Sequence, residues 1–94
     1  MSDVKMISKE DIHHVKFVSF EVLNSSEEKL ARRAQIENAM LLGNGSKGKS
    51  KIYFMGADGM LEVETTVWAA SDDVITLKGG VIIPVHCIQK IELI

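Results

Sequence analysis

The run MLEVETTVWAA, residues 60–70, alternates between two kinds of side chain for eleven residues. A period of two belongs to a strand with one face on a core, because successive side chains leave a strand on opposite sides. Leu61, Val63, Thr65, Val67 and Ala69 form one row. Met60, Glu62, Glu64, Thr66 and Trp68 form the other. A strand this long must bend to stay within a small domain, and its neighbours show how. KIYFM precedes it, with Ile52 and Phe54 on one face, and Ala57-Asp58-Gly59 supplies a hairpin turn, since Asp-Gly tolerates the left-handed backbone such turns use. Ser71-Asp72-Asp73 turns the chain into VITLK, with Ile75 and Leu77 inward, and Gly79-Gly80 makes a further tight hairpin.

VIIPV follows, and Pro84 places it at an edge or a bend because proline cannot donate to a ladder. HCIQKIELI reads as an irregular turn at His86 and Cys87, then a last strand with Ile91 and Leu93 inward. Consecutive short strands with tight turns predict an antiparallel meander. Rolled into a small five-stranded barrel, it would have few exposed edges.

The first half is different. Ser8-Lys9-Glu10-Asp11 has the form of a capping box and predicts a helical turn near residues 9–14. Residues 15–23, VKFVSFEVL, are β-branched and aromatic and predict an extended or strand-like segment. Ser25 with Glu28 three positions later is a second capping box, and Glu27 and Glu28 suit the positive end of a helix. That helix carries Leu30, Ala34 and Leu41 at near-helical spacing, a narrow apolar face that lays it on the domain. AMLL suits helix or strand, so a switch between Ile36 and Leu42 stays open, and Gly43-Asn44-Gly45 is expected to break whichever element precedes it. The expected fold class is α+β: one domain over residues 1–94, with an extended segment and helix to residue 43. A flexible loop at 44–50 and a small antiparallel five-stranded barrel at 51–94 complete it.

Composition bounds function. An apolar fraction of 46% excludes wholesale disorder, and a net charge of −2 gives no global attraction to nucleic acid or anionic membrane. Residues 1–50 carry eight Lys and Arg against seven Asp and Glu, residues 51–94 three against six. Between residues 32 and 51, Arg32, Arg33, Lys47, Lys49 and Lys51 have only Glu37 among them, a local basic cluster. One cysteine forms no internal disulfide and suits a reducing cytoplasm. The residues MSDVKMISKEDIHH lack the apolar stretch of a signal peptide, and no apolar run approaches the roughly 20 residues of a membrane helix, so no membrane role is expected.

One motif names a chemistry. GNGSKGKS, residues 43–50, matches the phosphate-binding pattern G-x-x-x-x-G-K-[ST] at every fixed position. That pattern works when a strand enters the loop and a helix leaves it, so that amides at the helix N-terminus cradle phosphate. Here KIYFM follows and reads as a strand, which argues for a mobile connection and against a nucleotide site. His13-His14, His86 and Cys87 lack the number and spacing of a zinc set, and no third group orients a Cys–His pair, so no metal or other cofactor is expected. Glu62 and Glu64 share a strand face, and with Thr66 and Trp68 beside them that face reads as solvated.

The pattern IYF, ADG, MLEVETTVWAA, DDVITLKGG and VIIPVHCIQKIEL resembles small five-stranded Sm-like or SH3-like barrels over roughly half the chain. With a helix laid on the barrel it is similar to the Rof-type inhibitors of the Rho termination factor and to Sm-like RNA-binding proteins. The KGG…IP…I segment also resembles a family of small bacterial proteins without an assigned activity. The function expected is that of a non-enzymatic binding or regulatory module that acts through protein contacts or self-association. The alternative is a small barrel that binds RNA or DNA. The candidate contact residues are Arg32, Arg33, Lys47, Lys49, Lys51 and Trp68. Trp68 is expected either beneath the helix, the preferred reading, or exposed as an aromatic anchor.

Overall fold

The computed structural model describes residues 4–94, so the first three residues of the expected N-terminal segment lie outside it. The chain is α+β: the described residues form one α-helix and seven strands in two sheets, neither closed into a barrel. Strand β1 is Lys5–Met6, β2 Ser50–Gly56, β3 Gly59–Thr65, β4 Val67–Ala70, β5 Val74–Leu77, β6 Ile82–Pro84 and β7 Ile88–Leu93; helix α1 is Ser26–Ser46. One sheet has the order β1-β3-β2-β7, the other β4-β5-β6.

The long alternating run divides between these sheets. Its row Val63, Thr65 and Val67 is buried, as the alternation demands. At Thr66 the ladder breaks, and a register shift between Val67 and Ala69 displaces the pattern, leaving Ala69 exposed. One strand thus feeds two sheets through a bend. The hairpins form where expected, with Gly59, Gly79 and Gly80 at positive φ. Ile52, Phe54, Ile75 and Leu77 are fully buried in a core that also takes Ile12, Ile36, Val63, Ile83, Ile88 and Ile91.

Several expectations need correction. Leu93 is half exposed at the end of β7, although Ile91 two residues before it is buried; a register shift at Tyr53/Phe54 in the β2–β7 ladder turns Ile88 inward with Ile91 instead. Residues 15–23 form no strand; apart from an isolated bridge between Phe17 and Gly56 they cross the domain as an extended strap. His86 holds the strap, donating from Nε2 to the Val18 carbonyl at 2.7 Å and accepting the Val22 amide at its own carbonyl at 3.0 Å. β1 pairs parallel to β3, a long-range contact that its two residues do not announce.

Helix α1 departs furthest from expectation. Its capping box is present, with Ser25 Oγ accepting the Glu28 amide at 3.1 Å and Glu28 Oε1 accepting the Ser25 amide at 3.2 Å. Its inward face, however, is Arg32, Ile36, Ala39 and Gly43, while Leu30 and Leu41 are 71% and 68% exposed. The helix also runs straight through Gly43-Asn44-Gly45, so the expected 44–50 loop shrinks to Lys47, Gly48 and Lys49. Two glycines in a helix cost about 1 kcal/mol each relative to alanine, and packing against β4 offsets that. Gly43 shows why: a Cβ there would run into the Val67 carbonyl oxygen and lie 2.9 Å from Thr66 Cγ2. The first glycine of the phosphate-loop pattern is a packing glycine.

Two side chains of α1 also finish the free edge of β7. Arg32 Nη1 donates to the Ile88 carbonyl at 2.9 Å, and Gln35 Oε1 accepts the Ile91 amide at 2.8 Å. An edge strand left bare would expose a template for pairing with another chain.

Candidate functional site

The order around GNGSKGKS is helix, loop, strand, the reverse of what a phosphate cradle requires. The loop follows the C-terminal end of α1, where carbonyls and not amides are exposed. These carbonyls are partly satisfied: Lys47 N donates to Gly43 O at 3.1 Å, Gly48 N to Leu42 O at 3.3 Å, and Ser46 Oγ to Leu42 O at 3.1 Å.

The basic cluster of the sequence is not one patch. Arg32 is 5% exposed and is committed to the fold. Its guanidinium holds Glu21 at both ends, Nη1 to Oε2 and Nη2 to Oε1, each at 2.7 Å, besides the Ile88 carbonyl. That grip holds the Glu21 carboxyl well down, to about 2. Arg32 is therefore withdrawn as a contact residue. Arg33 pairs with Glu37 one turn on and donates to the Ser71 carbonyl at 2.8 Å. Lys51 lies on β2 with Glu64 at 3.9 Å. Among the described residues, Lys47, Lys49 and Lys78 have no carboxylate within ion-pair distance.

Two of those unpaired lysines meet the one tryptophan. Gly43, Asn44, Lys47, Thr66, Trp68 and Lys78 line an open cleft of about 460 Å³ between the end of α1, the bend at Thr66 and the end of β5. This volume lies in the range of small-ligand sites, roughly 300–1,000 Å³. Trp68 is not covered by the helix as the preferred reading had it; it remains 48% exposed at the cleft. The bend at Thr66 joins the parts. Thr66 Oγ1 donates to the Lys47 carbonyl at 3.4 Å, and its own carbonyl accepts the Lys78 amide at 2.9 Å.

Lys47 adopts φ 57° and ψ 30°, and among the described residues no other non-glycine has positive φ. Glycine or asparagine ordinarily ends a helix in that conformation, and a lysine there costs on the order of 1 kcal/mol. That conformation holds the Lys47 backbone at the rim of the cleft while its amide closes the helix on the Gly43 carbonyl. The exposed end of α1 adds about half a negative charge, and two ammonium groups outweigh it, so the cleft is net positive.

Sequence reasoning named Trp68 and Lys47 separately and missed Lys78, which stands alone among acidic and apolar neighbours in the chain. The only signal for it was the Lys-Gly-Gly turn, read for its backbone alone. Elsewhere, Cys87 Sγ donates to the Pro84 carbonyl at 3.1 Å, and burial pushes its thiol up to about 12, so it is a poor nucleophile. Among the described residues no three His, Cys, Asp or Glu side chains are grouped to hold a metal ion, and no helix is long and apolar enough to cross a membrane. No protein-family model, curated protein or solved structure matches this chain.

Proposed function

We propose that this protein is a non-enzymatic binding module that receives an anionic partner at the Trp68 cleft. The observation that carries the reading is the placement of a half-exposed indole beside two lysines that have no carboxylate partner among the described residues. An exposed tryptophan at a concave site supplies contact area with few rotamers to freeze, which is why such residues anchor partners. The lining offers two ammonium groups, an amide, a hydroxyl and an indole. These groups suit the binding of an anion beside a flat ring.

The fold supports the reading through its bend. β3 and β4 are one strand interrupted at Thr66, and β6 passes to β7 through a single 3-10 turn, Val85–Cys87. On that basis we read the two sheets as the halves of a partly opened Sm-like or SH3-like barrel, with the cleft where they part. The buried, unpaired thiol of Cys87 is consistent with a reducing compartment such as the cytoplasm.

Because Trp68 is the only tryptophan, indole emission reports on this cleft alone. Titration with polyglutamate, polyphosphate and single-stranded oligonucleotides at two salt concentrations tests the proposal. At least one polyanion is expected to shift the emission, less at high salt and less in Lys47→Ala and Lys78→Ala. If none of them moves the indole signal, the cleft is not a binding site for anions.

A further inference from the structure

Resting on that reading of the cleft, we infer that its occupant is a single-stranded nucleic acid, one base stacked on Trp68 and the backbone carried over Lys78 towards Lys49. The Trp68 cleft does not stand alone. A second depression, of about 230 Å³, shares Thr66 and Lys78 with it and continues to Lys9, Lys49 and Glu64. Lys78 thus stands on the divide between an aromatic compartment and a polar one.

The carboxylates of the second depression are already engaged. Glu10 pairs with Lys9 at 2.9 Å and Glu64 with Lys51 at 3.9 Å. Lys49 and Lys78 have no such partner among the described residues, and Lys9 reaches Gly79, beside Lys78, with Nζ 3.9 Å from the position of a Cβ there. Uncompensated positive charge therefore runs from Lys47 through Lys78 to Lys49, with the indole at one end.

A polymer that alternates a flat ring with an anionic link matches this arrangement. Every base has a π-face for the indole, whatever the sequence, and the phosphates follow the lysines. A duplex keeps its bases stacked and offers Trp68 none of them, so single strands are favoured. An acidic peptide satisfies the lysines but leaves the indole without a stacking partner. Asn44, at the rim with an amide that both donates and accepts, is placed to read a base edge.

The test uses the full chain and oligo-uridylate or oligo-deoxythymidylate of about 10 nucleotides, a length within the site sizes of small single-strand-binding barrels. Quenching of Trp68 is expected, with a duplex of the same length much weaker. Neutralising three phosphates gives a slope of log affinity against log salt near −2, and each of Lys47→Ala, Lys49→Ala and Lys78→Ala brings it about 0.7 closer to zero. With a labelled strand read by anisotropy, Trp68→Ala loses roughly ten-fold in affinity or more, and Trp68→Phe recovers part of the loss. Lys90→Ala, whose side chain lines neither depression, leaves the affinity unchanged. If polyglutamate quenches Trp68 in a Lys78-dependent way and single strands do not, the cleft reading stands and the nucleic acid is wrong. If neither quenches it, the cleft reading falls as well. Binding of single strands that ignores both Trp68→Ala and Lys78→Ala places them elsewhere and overturns the inference.

Discussion

Helix α1 carries a cation near each end, and the two have opposite fates. Arg32, near its start, is buried with both Nη groups committed to Glu21 and the edge of β7. Lys47, just past its end, sits in a strained left-handed conformation with no carboxylate partner among the described residues. The first charge is spent on holding strap, helix and sheet together. The second is left for something outside the fold. Composition treats them alike; what separates them is whether the surroundings desolvate the charge and return hydrogen bonds for it.

The largest test of the contrast is Arg32→Ala. It strands a partly buried carboxylate at Glu21 and leaves the Ile88 carbonyl unpaired, and it should lower unfolding stability by about 3 kcal/mol, read from denaturant midpoints. Lys47→Ala should change stability by no more than about 0.5 kcal/mol. Equal losses from the two would erase the distinction.

Gly43→Ala comes next. The added Cβ meets the Val67 carbonyl oxygen, and separating helix from β4 should cost about 2 kcal/mol, seen as a lower Tm. A Tm equal to or above that of the parent chain would show that the glycine is not there for close packing.

Acid should find the Arg32 end and spare the other. The Glu21 carboxyl is lowered from an ordinary 4.5 to about 2, first by its hydrogen bonds to Arg32. A depressed folded-state value means that the carboxylate stabilises the fold above its unfolded value, and that this contribution is lost as pH falls from about 4.5 towards about 2. Glu21 keeps contact with solvent, so the loss should amount to roughly 2 kcal/mol. Glu21→Gln should flatten the acid limb of stability against pH; an unchanged limb would assign acid unfolding to other groups.

The smallest effect has the opposite sign. Lys47→Gly relieves the left-handed strain and should stabilise the fold by about 1 kcal/mol while weakening anion binding at the cleft. A Lys47→Gly chain that is both more stable and binds as well would remove the case for a functional lysine there.

Much of the second half was legible. The rows of Val63, Thr65 and Val67, the inward pairs Ile52/Phe54 and Ile75/Leu77, and the Asp-Gly and Gly-Gly turns depend on neighbours close in the chain. Side-chain alternation and permitted backbone angles encode them directly. Helix α1 was legible in its start and not in its orientation. Leu30, Ala34 and Leu41 looked inward by hydropathy, yet the face with Arg32, Ile36, Ala39 and Gly43 lies against the sheets. Arg32 could be buried because Glu21, eleven positions away, meets its charge, and Gly43 could approach because it has no Cβ. Both conditions depend on a surface that hydropathy does not describe. The site was legible only in fragments. Trp68 and Lys47 were visible as separate residues, Lys78 was passed over, and the GNGSKGKS match drew attention to Lys47 for the wrong chemistry.

What the chain by itself determined is its local grammar: a capped helix, a bending alternating strand, tight hairpins and a phosphate-loop pattern with the wrong surroundings. Only the tertiary structure decided that β3 and β4 belong to different sheets, that Arg32 is a structural cation, and that Trp68 shares a cleft with Lys47 and Lys78. Local periodicity sets which way a side chain points from its own element. Whether a charge ends up paired or free depends on desolvation and partners brought from distant positions, and these exist only once the elements have packed.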